Sequence, residues 1–251
     1  MAAVIYWFSG TGNSLYTAKR LALELGDTKL CPIAAGVPAG TVGGSGEKIG
    51  FVFPSYYCNM PRMVRSFAEK IEISDGTYLF TVVTMGGLGQ GSIAELESVL
   101  KQKKRRLDYG RGILMPANYV INYNPADKTK TESKLDKINA RIKEISAQIN
   151  GGRQSVKKIN FTANNLYKNI ETLDQQFYAD DSCTACGQCV KICPAGNIAM
   201  ENNKPCWLHR CEHCVACLSW CPAQAIQYGK MTKTRRRYQN PKISVTEMMA
   251  R

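Results

Sequence analysis

Eight cysteines near the C-terminal end of the sequence form two copies of one pattern. Residues 183–198 (CTACGQCVKICPAGNI) and 211–226 (CEHCVACLSWCPAQAI) align without gaps. Each copy reads Cys-x2-Cys-x2-Cys-x3-Cys-Pro, a spacing that suits the thiolate ligands of [4Fe-4S] clusters. Zinc is the alternative metal, but a zinc site takes four ligands from paired Cys-x2-Cys motifs and needs neither the third cysteine nor the Cys-Pro step. The repeat therefore predicts two [4Fe-4S] clusters.

The same spacing resembles that of bacterial-type two-cluster ferredoxins, in which the fourth cysteine of each motif binds the other cluster. The resemblance implies that cluster one is bound by Cys183, Cys186, Cys189 and Cys221. It implies that cluster two is bound by Cys211, Cys214, Cys217 and Cys193. Cys206 lies outside the pattern and is interpreted as a small buried side chain, as are Cys31 and Cys58. His209 and His213 flank a ligand and could tune cluster two, although surface positions are the favoured interpretation.

A hydroxyl-rich glycine turn lies near the start of the sequence, between an apolar run and a helix-like pattern. At such a turn a phosphate group binds the backbone N–H groups of the helix N-terminus. The third glycine of the dinucleotide fingerprint and the lysine of a P-loop are both missing from the motif. What remains suits a phosphate monoester, and the turn comprises Ser9, Gly10, Thr11, Gly12, Asn13 and Ser14. The alternative is a plain strand-to-helix turn capped by Ser14 or Asn13.

This turn resembles the phosphate loop of flavodoxins, Ser/Thr-x-Thr-Gly-x-Ser/Thr, and the resemblance implies that the ligand is FMN. Flavodoxins hold the flavin ring with two further loops. The loop after the third strand offers tyrosines for stacking and contains Pro54, Ser55, Tyr56, Tyr57, Asn59 and Met60. Asn59 is a residue type that tolerates a positive φ angle. The loop after the fourth strand lets the backbone approach a flat ring and contains Thr84, Met85, Gly86, Gly87 and Gly89.

Each of these loops also has a simpler interpretation. Tyr56 and Tyr57 could be ordinary core residues, and the glycine-rich loop at 85–92 could be a second phosphate turn. Asn118 and Tyr119 follow the fifth strand on the same side of the sheet. They could face the flavin or a substrate, or they could belong to a loop that satisfies its own hydrogen bonds. The first loop makes a flavin contact the favoured interpretation for the tyrosines and for the glycine-rich loop, whereas both interpretations of Asn118 and Tyr119 stay open.

Strand-like and helix-like segments alternate through the first 150 residues. The strand candidates are short and apolar, as buried parallel strands are, and they are Val4–Phe8, Lys29–Ile33, Ile49–Phe53, Tyr78–Thr84 and Arg111–Met115. Helical periodicity predicts helices over Ser14–Leu25, Pro61–Ile71, Ser92–Lys103 and Thr131–Ile149. The predicted fold class is α/β, with a flavodoxin-like, doubly wound, five-stranded parallel sheet and a small α+β two-cluster ferredoxin-like domain.

The boundaries follow from composition. Residues 1–155 are predicted to form the flavodoxin-like FMN-binding domain, and residues 156–179 a helical connector with Leu166, Ile170, Leu173 and Phe177 on one face. Residues 180–229 form the domain of the two [4Fe-4S] clusters. Residues 230–251 form a basic tail.

Charge is unevenly distributed along the 251 residues, whose formal net charge is +13. Residues 1–170 carry +10, residues 171–229 carry −3 and residues 230–251 carry +6. This separation favours docking of the two halves, or of a basic face on an acidic protein, over nucleic-acid binding. The Arg235–Arg237 run is interpreted as a solvated face or a docking tail.

The sequence also indicates a compartment. No apolar run approaches the roughly 20 residues of a membrane helix, and no basic residue precedes the first apolar stretch as in a signal peptide. Clustered rather than dispersed cysteines point to metal ligands instead of disulfides. A cytoplasmic protein with neither membrane nor nucleic-acid partners is therefore predicted.

The motifs taken together resemble the flavodoxin–ferredoxin fusion proteins found mainly in anaerobes. The resemblance rests on "FSGTGNS", the Pro-x-Tyr loop, "MPANY", both cysteine motifs and "RRRYQNP", and it covers nearly the whole chain. It implies a protein that passes electrons between FMN and two [4Fe-4S] clusters and on to a redox protein partner, such as an acidic ferredoxin or a reductase. A homodimer is compatible with this interpretation. The alternative is an FMN-dependent reductase of an organic substrate, fed with electrons by the clusters.

Overall fold

A computed structural model of the protein describes residues 2–44, 46–87, 89, 91–156 and 170–250. Its strands are β1 (Ala3–Trp7), β2 (Thr28–Pro32), β3 (Thr41–Val42), β4 (Lys48–Pro54), β5 (Glu72–Ile73), β6 (Tyr78–Met85), β7 (Tyr109–Leu114), β8 (Ser155–Val156), β9 (Phe177–Ala179), β10 (Ile198–Glu201), β11 (Lys204–Trp207) and β12 (Ile226–Tyr228). Its helices are α1 (Asn13–Leu25), α2 (Arg62–Lys70), α3 (Gly91–Gln102), α4 (Lys128–Asn150), α5 (Gln188–Ile192), α6 (Ala216–Trp220) and α7 (Val245–Met249).

The first part of the chain builds a parallel sheet in the order β2-β1-β4-β6-β7-β8. Five of its strands are the predicted ones, and β8 adds a two-residue edge strand beside β7. The strand order reverses between β1 and β4, because β2 lies on the other side of β1. Loops that leave the carboxyl ends of β1 and β4 therefore diverge and leave a crevice. Ligands of open α/β sheets bind in such a crevice.

Helices on both faces of the sheet bury its apolar side chains. α1 packs against α4, and α2 packs against α3. Phe51, Phe53 and Phe80 in the central strands are fully buried, and burying each such side chain contributes about 1.5–3 kcal/mol. This core fixes the strand ends from which the loops start. Among the helices of the described residues, none is long and apolar enough to span a bilayer.

The cysteine repeat folds into a small module of its own. β10 pairs with β11, and β12 pairs with β9, both antiparallel. Because β9 belongs to this pairing, the module begins at Phe177 rather than at residue 180, and the last residues of the predicted helical connector are strand. Residues Ile170–Gln176 form a 3-10 helix. Residues 157–169, with Leu166 of the predicted amphipathic stretch, lie outside the described residues.

The basic tail packs on the rest of the protein. The guanidinium of Arg235 donates to the backbone carbonyl of Val120 at 2.8 Å, in the loop after β7. The guanidinium of Arg237 donates to the carbonyl of Ile226 at 3.0 Å, in the cysteine module. Arg236 donates to the carbonyl of Pro125 at 3.0 Å. Residues 235–240 therefore form a strap across both parts of the protein, in which Arg236 is exposed and Arg235 and Arg237 are partly buried, so the run is not simply a solvated face.

Candidate functional site

A cavity of about 360 Å³ opens at the carboxyl edge of the sheet, where the strand order reverses. Its volume is within the range of small-molecule sites. The loops after β1, β4, β6 and β7 form most of its wall, and the cysteine module closes it. Among the described residues that line the cavity, no Asp, Glu, Lys or Arg occurs. The cavity is therefore polar without carrying fixed charge.

Fourteen of the eighteen predicted flavin contacts line this cavity. They are Ser9, Gly10, Thr11, Asn13, Ser14, Pro54, Ser55, Tyr56, Tyr57, Thr84, Met85, Gly86, Gly87 and Asn118. The remaining lining residues are Met115, Pro116, Ala117, Tyr119, Asn122, Tyr123, His213, Cys214 and Val215. The last three come from the cysteine module. No local pattern could have assigned them to this cavity, because they reach it only through the docking of the two parts.

The other four predicted contacts lie behind the cavity wall. Asn59 and Met60 are 2% and 1% exposed and face the interior. A Cβ at Gly89 would lie 2.9 Å from the Cβ of Ser55. The absence of a side chain at Gly89 therefore lets the loop after β6 pack closely against the loop after β4. Gly12 has a φ of +97° and lies under the strap. These residues shape the loops instead of lining the cavity.

The loop after β4 is a tight hairpin with positive φ angles at two residues other than Asn59. The backbone N–H of Tyr56 donates to the carbonyl of Asn59 at 3.0 Å, and the reverse bond is 2.8 Å. Tyr57 and Cys58 between them have φ angles of +51° and +65°, as in a type I′ turn. Asn59 is not the left-handed residue; its side-chain amide donates to the carbonyl of Tyr57 at 2.9 Å instead. Each left-handed non-glycine residue costs about 1–2 kcal/mol, so these hydrogen bonds maintain a strained loop.

Hydroxyl groups organise the turn after β1. The Oγ of Ser9 accepts a hydrogen bond from the N–H of Gly12 at 3.1 Å. The hydroxyls of Ser14 and Thr84 are 2.7 Å apart and join this turn to the end of β6. α1 begins at Asn13, so its N-terminus faces the cavity. Such a helix terminus attracts a phosphate group without a cationic side chain.

The strap holds this same turn from outside. The Oδ1 of Asn13 accepts hydrogen bonds from the hydroxyl of Tyr238 at 2.7 Å and from the side-chain amide of Asn240 at 3.0 Å. The backbone N–H of Asn240 donates to the carbonyl of Thr11 at 2.9 Å. All three contacts are buried. The conformation of the turn thus depends on residues more than 220 positions away.

A hydrogen-bonded chain of three rings joins the cavity to the cysteine module. The hydroxyl of Tyr119 is 2.5 Å from the hydroxyl of Tyr57 and 2.5 Å from the Nδ1 of His213. His213 is 2% exposed, so its predicted surface position is wrong, whereas His209 is exposed. Burial lowers the pKa of His213 to about 4. The imidazole is therefore neutral at pH 7, and the cavity gains no charge from it.

The predicted cluster ligands gather into two smaller cavities. One is lined by Cys183, Cys186, Cys189 and Cys221. The other is lined by Cys193, Cys211, Cys214 and Cys217. Each cavity thus takes three cysteines from one repeat and the fourth from the other. Within the described residues, no three His, Cys, Asp or Glu side chains converge as ligands of one ion would; a cubane differs in that each thiolate binds its own iron corner.

The two repeats have the same backbone, including three left-handed positions each. These positions, 28 residues apart, pair Ala185 with His213, Gly187 with Val215, and Gly196 with Gln224. The short helices α5 and α6 begin directly after the second pair. Left-handed non-glycine residues persist where the surroundings determine them, typically at functional sites. In both repeats the first two of these positions lie between cysteines, and the third follows the Cys-Pro step.

Burial changes the acidity of the thiols. It raises the pKa of Cys189 to about 11 and that of Cys211 above its ordinary value. Because iron binds the thiolate, cluster assembly must release these protons. The backbone N–H of Asn197 donates to the Sγ of Cys193 at 3.2 Å, and that of His213 donates to the Sγ of Cys211 at 3.2 Å. Four thiols per cavity with N–H donors around them are a donor set that fits a [4Fe-4S] cluster.

The second cysteine cavity shares a wall with the large cavity. Cys214 and Val215 line both. A Cβ at Gly10 would overlap the carbonyl oxygen of Cys214, so the absence of a side chain at Gly10 permits this close approach. The indole N–H of Trp220 donates to the carbonyl of Gly10 at 3.1 Å. The first cysteine cavity lies elsewhere, and its Cys186 is exposed.

The three cysteines outside the repeat pattern are only half-buried. They are Cys31, Cys58 and Cys206, for which the sequence favours small buried side chains. The Sγ of Cys206 donates to the carbonyl of Ala199 at 3.5 Å, across the β10–β11 pair. Cys206 lines neither cysteine cavity.

Known proteins resemble this chain in parts. No curated protein matches it. A candidate flavoprotein from Bacteroides eggerthii is 20% identical over 55% of this chain and 97% of its own, with a TM-score of 0.32. One from Bacteroides uniformis is 21% identical over 44% and 87%, with a TM-score of 0.30. An azoreductase from Bacillus anthracis is 10% identical over 60% of this chain and 100% of its own, with a TM-score of 0.38.

Residues 178–199 match the family described as "4Fe-4S binding domain", so the first cysteine repeat is an iron–sulfur cluster-binding segment.

Proposed function

We propose that this protein transfers electrons between an FMN in the large cavity and two [4Fe-4S] clusters in the cysteine cavities, and on to a redox partner. The observation that carries the proposal is the wall shared by the large cavity and the second cysteine cavity, which consists of Cys214 and Val215. A flavin exchanges one or two electrons and a cluster exchanges one, so such a pair converts paired electrons to single ones. Only one layer of residues lies between the two sites.

The residues of the cavity suit FMN. The N-terminus of α1 and the hydroxyls of Ser9, Thr11 and Ser14 would hold the phosphate. Tyr56 and Tyr57 would contact the ring on one side of the cavity, and the glycine-rich loop after β6 would leave room at its edge. The walls, which carry no acidic or basic side chain, would accommodate a neutral aromatic ring system without desolvating a fixed charge.

The different exposure of the cysteines suggests the path that electrons take across the module. Cys186 of the first cavity is exposed, whereas Cys211, Cys214 and Cys217 of the second are buried. The partner would thus meet the cluster-one side, and cluster two would lie between it and the large cavity. We further propose an acidic redox protein as partner, which would dock on the strongly basic surface beside the module rather than on the acidic module itself. A reducing compartment such as the cytoplasm fits eleven cysteines with this role.

Anaerobic purification with chemical analysis tests the cofactors. About eight iron, about eight sulfide and about one FMN per chain are expected for two cubanes and one flavin. Removal of oxygen is required because exposed Cys186 leaves cluster one accessible. Zinc in place of iron, without flavin, would overturn the proposal.

A flavin-dependent reductase is the second candidate. The observation in its favour is that the large cavity extends beyond the predicted flavin loops to Tyr119, Asn122 and Tyr123. These neutral side chains could contact an organic substrate over the ring. Catalytic consumption of a small acceptor by the purified, chemically reduced protein would favour this candidate. Reduction of a protein partner alone would favour the carrier.

Asn240→Ala should weaken FMN binding by about three- to tenfold, with the value set by one lost buried hydrogen bond. The variant removes the buried side-chain bond to Asn13 that holds the phosphate turn, and with it the partly buried bond that the Oδ1 of Asn240 accepts from the N–H of Lys242. Fluorescence titration of the flavin-depleted protein measures the dissociation constant. Lys242→Ala is the control, since that side chain is exposed and pairs with Glu132 away from the turn. Equal affinities in the two variants would contradict a role of the strap in FMN binding.

A further inference from the structure

The two cysteine repeats differ at the residue that follows the second cysteine. This residue is Gly187 in the first repeat and Val215 in the second. Both precede a short helix, and both are left-handed, with φ angles of +70° and +53°. Glycine adopts this conformation readily, whereas a β-branched residue there is a genuine outlier. The second repeat therefore keeps a side chain where its own backbone favours glycine.

The surroundings of the two positions explain what that side chain does. A Cβ built at Gly187 would meet nothing within 4 Å, so a side chain in the first repeat would point into open space. Val215 is 4% exposed and packs in the apolar cluster of the module with Val120 and Phe177. It also lines both the large cavity and the second cysteine cavity. A valine is thus retained only where the module faces the large cavity.

We propose that Val215 is a positioning residue that keeps the space between cluster two and the large cavity free of water. This inference rests on the proposed function, because it assumes that both sites are filled. The side chain does not bind either cofactor through a polar atom. Its role is to occupy the shared wall with apolar volume, and the left-handed backbone places it there.

The polar groups around the shared wall explain why an apolar side chain is needed there. The carbonyl of Cys214 and the hydroxyl of Tyr56 both lie beside Gly10 at this boundary. A water molecule needs two to four polar partners and about 30 Å³ of space, and the three side-chain carbons of valine exceed that volume. Removing them therefore creates a site that water can enter. Because a reduced cluster carries one more negative charge, adjacent water stabilises the reduced form and raises the reduction potential.

The test is a redox titration of the holoprotein, followed by electron paramagnetic resonance, for Val215→Gly and Val215→Ala. Val215→Gly relieves the backbone and opens the wall, so we expect a positive shift in the potential of cluster two only. Val215→Ala keeps the left-handed strain and opens part of the wall. We expect a smaller shift in the same direction and a lower melting temperature. Pulsed electron paramagnetic resonance after exchange into D2O should detect deuterons near cluster two that are absent in the wild type.

Val120→Ala is the matched control, because Val120 is fully buried in the same apolar cluster but lines neither cavity. It should lower the melting temperature without a selective shift. An unchanged potential of cluster two in both Val215 variants would overturn the inference, and so would equal shifts of both clusters. If Val215→Gly fails to fold, the potential of cluster two in Val215→Ala tests the inference by itself. Iron and flavin analysis of the wild type separates this outcome from failure of the proposed function, which would appear as missing cofactors.

Discussion

Replacing Cys221 with alanine should remove the cluster bound by the first repeat, over 30 residues upstream. Iron should fall from about eight to about four per chain. The reason is that Cys221 lines the cavity of Cys183, Cys186 and Cys189, although it belongs to the second repeat. The spectrum of the remaining cluster should match that of Cys186→Ala. Cys193→Ala should instead match Cys214→Ala, since these two cysteines share the other cavity.

Cys206→Ala is the control for this series. Cys206 is half-buried and lies in neither cysteine cavity, so all iron should be retained. If Cys221→Ala leaves the cluster of the first repeat intact and removes that of the second, ligation is local to each repeat. The exchange of ligands between the repeats would then be wrong.

Replacing Gly10 with alanine should separate the cysteine module from the turn after β1. The new Cβ would overlap the carbonyl oxygen of Cys214 and crowd the hydroxyl of Tyr56, and a backbone oxygen cannot rotate away. Overpacking of this kind and loss of the Trp220 hydrogen bond together cost about 2–4 kcal/mol. For a protein of this size the melting temperature should fall by roughly 5–15 °C. Thermal unfolding monitored by tryptophan fluorescence measures it.

Gly87→Ala provides the matched substitution within the same cavity. A Cβ at Gly87 meets nothing within 4 Å, and its φ angle is not in the left-handed region. Its melting temperature should stay close to that of the wild type. A Gly10→Ala variant as stable as Gly87→Ala would show that the module does not rest on Gly10 in solution.

Most of the sheet and the grouping of the cysteines could be predicted because their signals are local. A buried parallel strand is recognisable in a sequence as a short apolar run. The five predicted strands differ from the observed ones by at most two residues at either end. The cysteine spacing is likewise a local pattern, and the sets of four now line two separate cavities. The sixth strand, Ser155–Val156, has only two residues and therefore leaves no such signal.

The parts that sequence did not predict depend on contacts between distant segments. His213 has no local sign of burial, yet it lies beneath Tyr119 once the module docks. The left-handed angles fall on Tyr57 and Cys58 because hydrogen bonds of the hairpin place them at its centre, whereas intrinsic preference points to Asn59. The arginines of the strap donate hydrogen bonds to backbone carbonyls. Amino-acid composition does not predict such bonds. Charge counts therefore indicated a solvated tail.

The strap also determines the order in which the protein can be completed. A chain leaves the ribosome from its N-terminus at about 5–20 residues per second, and domains generally fold as they emerge. The sheet can thus form early, but Asn13 acquires its partners Tyr238 and Asn240 only after some 225 further residues have been synthesised. The phosphate turn stays unfinished until then. Completion of this turn is consequently a late event, which follows synthesis of the cysteine module.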